Sequence, residues 1–264
     1  MEPQNKNIKL VSSKKTRVIL PNILTIAGVC LGISSIKFSL DLNFKMAVIF
    51  ITLAAILDAL DGRIARMIKG TSDFGKELDS LTDFVSFGIA PAFIIYFWEL
   101  NKYGKLGWAI TLIYSVCCVL RLARFNLTKF KPEETWKQNY FEGVPSPIGA
   151  LLILSPLVLE LTEFNFSINK NYFAPLFTLI IAVLLISKVP TYSFKNIKIK
   201  PALTVFILLG IGISFVTLMF FTFETLLAFC FLYILSIPMA CFTYLNNKKA
   251  VEVDNSEDEH EDIL

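Results

Sequence analysis

At 264 residues, with 55% hydrophobic and 18% charged positions and a mean hydropathy of +0.61, the chain is too apolar for a soluble fold of its size. The net charge is only +3, and no nucleic-acid partner is expected. Cys30, Cys117, Cys118, Cys230 and Cys241 lie in apolar stretches without paired ligand spacing, so they read as small buried hydrophobes, and no disulfide framework is implied.

The start, residues 1–18, is basic and too long and polar for the charged end of a signal peptide; no small-residue cleavage site follows, so it is read as a retained cytoplasmic N-terminus. Apolar segments then recur at about the 20-residue length that lets a helix cross roughly 30 Å of hydrocarbon. They predict spans at 19–40, 46–66, 79–98, 106–125, 147–162, 171–187, 202–221 and 225–245. The expected fold is all-α, a polytopic integral membrane bundle of about eight transmembrane helices, with residues 19–245 forming one transmembrane domain. Three polar inserts share one side: Met67 to Leu78, Arg121 to Ser146, and Ser187 to Pro201. The tail, residues 246–264, is acidic with almost nothing to bury, and is expected to be disordered. It carries the one histidine, His260, which excludes any mechanism that needs a membrane-embedded or paired histidine.

Lys and Arg set the orientation. With both termini in the cytoplasm, only Lys37, Lys45, Lys102, Lys105 and Lys170 of the 25 basic residues fall on the opposite side. Four aspartates then lie near the cytoplasmic interface. Asp58 and Asp61 end the second apolar run, and Asp79 and Asp83 begin the third. A carboxylate at a helix centre in a membrane costs roughly 2.5–3.5 kcal/mol, less near the ends, so something must compensate them. Spacings of three and four put each pair on one helix face. Two such faces turned together make an oxygen cage, and Mg2+ and Mn2+ prefer carboxylate oxygens over imidazole or thiolate.

Asp58, Asp61-Gly62, Ala65-Arg66, Gly75, Asp79 and Asp83 fill every position of the D-x2-D-G-x2-A-R-x8-G-x3-D-x3-D signature. In this the chain resembles the CDP-alcohol phosphatidyltransferases. Leu20-Pro21-Asn22 with Thr25, the run Arg121 to Asn126, Gly143 to Pro147, and Pro190 to Lys195 are similar to the phosphatidylserine synthase branch. The resemblance covers Leu20 to Lys195; the last two helices match in hydrophobicity alone.

The resemblance implies transfer of the phosphatidyl group from CDP-diacylglycerol to the hydroxyl of L-serine, releasing CMP, by metal-assisted single displacement. It implies two divalent cations, Mg2+ or Mn2+, held by Asp58, Asp61, Asp79 and Asp83, with Asp83 also the general base. Gly62 and Gly75 permit close approach of the liponucleotide, Ala65 keeps that face shallow, and Arg66 offers a forked cation to phosphate. Small-residue helix packing is the competing role for Gly62 and Ala65, and a positive-inside anchor that for Arg66. Asn22 and Thr25 share a face and reach the nucleotide or bond across helices; family position favours the nucleotide. The serine carboxylate calls for a further cation, and either Arg121 or Arg124 can supply it. Asn126, Ser146, Tyr192, Ser193 and Lys195 are weaker candidates for the acceptor pocket, with interfacial anchoring as the alternative. A homodimer among membrane lipids, in a bacterial-type inner membrane with the site facing the cytoplasm, completes the implied picture.

Two other functions compete. The same chemistry can use glycerol 3-phosphate, inositol phosphate or choline as acceptor, and an ion transporter can use intramembrane carboxylates as a cation path. A transporter releases no CMP, and it has little need for glycine, alanine and arginine at these intervals.

Overall fold

The computed structural model describes residues 14–68, 72–127, 140–162, 170–192 and 201–261. Its helices are α1 (Lys14–Leu40), α2 (Phe44–Met67), α3 (Asp73–Asp83), α4 (Ala90–Trp98), α5 (Lys105–Leu127), α6 (Ser146–Leu161), α7 (Lys170–Ile186), α8 (Pro201–Phe220) and α9 (Thr222–Glu261). Each predicted span falls on helix. Among the described residues, four stretches are long and apolar enough to cross a membrane: Ile19–Leu40, Asp73–Trp98, Lys105–Leu127 and Thr222–Asn247. Shorter apolar helices accompany them, and the chain is a helical integral membrane protein.

The third span is longer than its apolar run and is not uniform. It begins at Asp73, where Ser72 caps α3 by accepting the Gly75 amide at 3.0 Å, and it passes through a π-helical segment, Phe84–Ile89, into α4. Within that segment the Ala90 amide donates to Val85 O, five residues back. Pro91 is the local cause, because it has no amide to offer Phe87 O. The Tyr114 hydroxyl on α5 donates to Phe87 O instead, at 3.0 Å, and Ser115 Oγ lies 3.4 Å from Gly88 O. In hydrocarbon, freed carbonyls must find partners inside the protein, and α5 supplies them.

The core lies between α2, α4, α5, α6 and α7, where Val48, Ile51, Ile94, Ile95, Leu152, Ile153, Leu154 and Leu185 are fully buried. α1 packs lengthwise on α2 and crosses the π segment at Gly32, where a Cβ would stand 2.9 Å from Ser86 Cα. α8 is peripheral. It packs chiefly on α9, and its outward face exposes Phe206, Leu209, Ile213 and Phe215. Cys30 corrects one expectation: it faces outward on α1, because that helix buries only the stripe turned to its neighbours.

Outside the helices, β1 (Tyr140–Glu142) pairs antiparallel with β2 (Pro190–Tyr192), Tyr140 opposite Tyr192. Aromatic and β-branched residues in two inserts on one side favour this short ribbon. Gly143 turns the chain out of it at φ 75°, and a Cβ there would lie 2.7 Å from Leu185 O. The ribbon is fastened to α9: the Tyr192 and Thr243 hydroxyls share a hydrogen bond at 2.9 Å, and Asn247 Nδ2 donates to the Tyr140 hydroxyl at 3.1 Å. α9 runs on to Glu261 and so includes most of the acidic stretch that composition assigns to an unfolded end.

Candidate functional site

The ends of α2 and α3 bring the aspartates together. One carboxylate oxygen each from Asp58, Asp61 and Asp79 lies within 4.8 Å of the others. Asp83 adjoins this triplet, close enough to Asp58 and Asp79 for the carboxyls to act on one another electrostatically. At roughly 4 Å, two like charges repel by about 4 kcal/mol at an effective dielectric of about 20, so several carboxylates so placed call for cations between them. The donor set is all oxygen, drawn from two helices, and it fits a hard divalent ion.

Asp61 is the most buried of the four, at 3% exposure, and it is oriented from α1 by the Thr25 hydroxyl, which donates to Asp61 Oδ2 at 2.6 Å. Thr25 therefore bonds across helices while also lining the cavity described next. A void of about 10 Å³, room for one water, lies among Thr25, Asp58, Asp61, Asp83 and Ser86.

A larger cavity of about 300 Å³ opens beside it, lined by Pro21, Asn22, Thr25, Asp61, Gly62, Ala65, Arg66, Ser72, Gly75, Lys76 and Asp79. All six residues that sequence assigns to the liponucleotide are in this wall. At Gly75 a Cβ would stand 3.1 Å from both Asn22 Oδ1 and Ser72 Oγ, so the small residue keeps α1 and α3 close at the rim. At Gly62 a Cβ would meet only Arg66 Nη1, at 3.8 Å; the position faces open cavity rather than a packed helix. Arg66 is exposed at the mouth and interacts electrostatically with Asp79. The sequence marks the insert from Met67 to Leu78 as lying on the aspartates' side but assigns its Ser72 and Lys76 no role. The first turn of α3 is polar and was left outside the predicted span, although a serine ahead of an acidic residue is a helix-start signal. Ser72, Gly75 and Lys76 from that turn line the cavity, so the N-terminal end of α3 and a lysine stand where helix N-termini receive phosphate.

Of the acceptor candidates among the described residues, Arg121 and Ser146 meet, while Arg124, Asn126 and Tyr192 turn to other partners. Arg121 is buried against the start of α6, where its Nη1 donates to Ser146 Oγ, and it interacts electrostatically with Asp83. Arg124, one turn on, turns to α7 and donates to Ile186 O at 2.6 Å, at the end of that helix. Asn126 bonds Ser80, its Nδ2 donating to Ser80 Oγ at 2.9 Å. Tyr192 belongs to the ribbon and α9. Ser193 and Lys195 lie outside the described residues.

The profile of the CDP-alcohol phosphatidyltransferase family matches residues 18–232. A CDP-diacylglycerol--serine O-phosphatidyltransferase of Mycobacterium leprae is 38% identical over 69% of this chain and 61% of its own length. The Mycobacterium tuberculosis protein of the same name is 36% identical over 69% and 64%. That of Helicobacter pylori is 32% identical over 75% of this chain and 82% of its own length. This chain thus spans less than two thirds of the mycobacterial relatives.

Proposed function

Since this chain belongs to the CDP-alcohol phosphatidyltransferase family, we propose that it transfers the phosphatidyl group of CDP-diacylglycerol to the hydroxyl of L-serine, releasing CMP. One observation carries the reading: carboxylates of two helices converge within 4.8 Å at the edge of a 300 Å³ cavity that also holds Arg66, Lys76 and a helix N-terminus. An oxygen cage for cations and a phosphate cradle share one wall.

Asp58, Asp61 and Asp79 would hold Mg2+ or Mn2+, with Asp83 adjoining. When bound, divalent ions neutralise the pyrophosphate and polarise the CMP leaving group. Arg66 and Lys76 bind the remaining phosphate charge, and Gly62 and Gly75 let the nucleotide approach the backbone. Arg121, whose charge acts on the Asp83 carboxyl and whose Nη1 donates to Ser146, receives the acceptor carboxylate. Asp83 takes the serine hydroxyl proton as the serine oxygen bonds to the phosphatidyl phosphorus, and CMP leaves with the electron pair of the broken pyrophosphate bond. No covalent enzyme intermediate is required. The active face is assigned to the cytoplasm on the Lys and Arg bias, with eight spans, and a homodimer follows from the family resemblance.

The test is the full chain, purified into lipid nanodiscs, with CDP-diacylglycerol, Mg2+ or Mn2+, and L-serine, glycerol 3-phosphate, inositol phosphate or choline in turn. Phosphatidylserine and CMP are expected with serine alone, only when metal is present. Turnover of another alcohol in place of serine would reject the acceptor, and absence of metal-dependent CMP release with every alcohol would reject the enzyme. In the same assay Asp83→Asn is expected to bind liponucleotide yet release no CMP.

A further inference from the structure

Tyr233, on α9, lies one position past the segment that the family profile matches, on a helix that contributed nothing to the site predicted from sequence. It is 8% exposed, and its hydroxyl stands near Thr191 and Arg121 without a well-formed hydrogen bond to either. Arg121 is in the same condition. It is 8% exposed, uses Nη1 on Ser146, leaves Nε without a partner, and has no carboxylate within ion-pair distance among the described residues. Asp83 is near enough to feel its charge but is not in contact.

A buried guanidinium without a counter-ion and a buried hydroxyl without a partner each carry an uncompensated desolvation cost. Two idle donors that sense each other's field, from α5 and α9, complement one anionic group with several lone pairs. One fixed cation, itself within electrostatic reach of Asp83, and one hydroxyl suit a singly charged carboxylate better than a doubly charged phosphate. We infer that Tyr233 is a specificity-determining residue: its hydroxyl donates to the carboxylate of the amino-acid acceptor, which Arg121 Nε binds from the other side. This rests on the proposed serine transfer. The seat separates an amino acid from a plain amino alcohol, because a ligand lacking the carboxylate leaves both buried donors unpaired.

The experiment compares wild type and Tyr233→Phe, as full chains in nanodiscs with CDP-diacylglycerol and metal, using L-serine and ethanolamine, which is serine without its carboxylate. The expected result is a rise of about tenfold in KM for serine, the size of a lost hydrogen bond to a charged group, with KM for the liponucleotide and turnover of ethanolamine unchanged. The melting temperature of the variant without serine is expected to equal or exceed that of wild type, since the deleted hydroxyl has no partner, while the stabilisation produced by added serine shrinks. An unchanged KM for serine would overturn the inference. So would a lower melting temperature with equal losses on serine and liponucleotide, which marks a packing residue. Wild type that makes no lipid from serine defeats the proposed transfer itself, and that result is read before the variant is used.

Discussion

Thr25 Oγ1 and Asp61 Oδ2, 2.6 Å apart, join α1 to the carboxylate cluster on α2 through one hydrogen bond. Partners of this kind orient ligands, and losing one commonly costs about 10–100-fold in metal affinity. Thr25→Val keeps the shape and removes the donor, so the metal concentration for half-maximal CMP release is expected to rise by about that factor, with KM for CDP-diacylglycerol little changed. A rise in the liponucleotide KM alone would return Thr25 to the nucleotide. The aspartates were legible in sequence because carboxylates at the edge of apolar runs are costly and their spacing sets a face. Thr25 was ambiguous there, since helical spacing does not say which neighbour a hydroxyl meets. Arg121 and Arg124 show the same limit. Three residues apart on α5, they look equivalent, yet one is buried toward Asp83 and the other holds the Ile186 carbonyl.

Among the elements, the π segment carries the most consequence for the site, because it begins directly after Asp83 and meets α1 at Gly32. A Cβ at Gly32 would stand 2.7 Å from Ser86 Oγ and 2.9 Å from Ser86 Cα; the second is backbone, which cannot swing away. Gly32→Ala is therefore expected to destabilise by about 1–3 kcal/mol through overpacking and to cut turnover by shifting the helix that presents Asp83. Gly210→Ala on α8, where nothing lies within 4 Å, is the matched control and should be neutral or mildly stabilising. Equal melting temperatures and activities for the two variants would remove the π segment from the argument. Hydropathy located this span but could not register its irregularity, which depends on Pro91 and on a hydroxyl from another helix. The ribbon was missed for a similar reason, since its strands are three residues each and 48 or more positions separate their partners.

For the whole molecule, the bias of Lys and Arg predicts which side the site occupies. A reporter fused after the exposed Asn101, in the connection between α4 and α5, is expected on the non-cytoplasmic side, and a cytoplasmic reporter would invert the proposed orientation. Hydrophobic segments at membrane length, the basic asymmetry and the spaced acidic pairs are one-dimensional signals, so the chain alone determined its class, its helices, the faces of its aspartates and its family. Tertiary structure decided what no spacing encodes. It closed Asp58, Asp61 and Asp79 to within 4.8 Å, set the polar turn of α3 over the cavity, sent the two arginines apart, and put Tyr233 on α9 within electrostatic reach of Arg121 on α5. The physical reason is that hydropathy is blind to partners far away in the chain, whereas a buried polar group in a membrane is defined by the partner it finds or lacks.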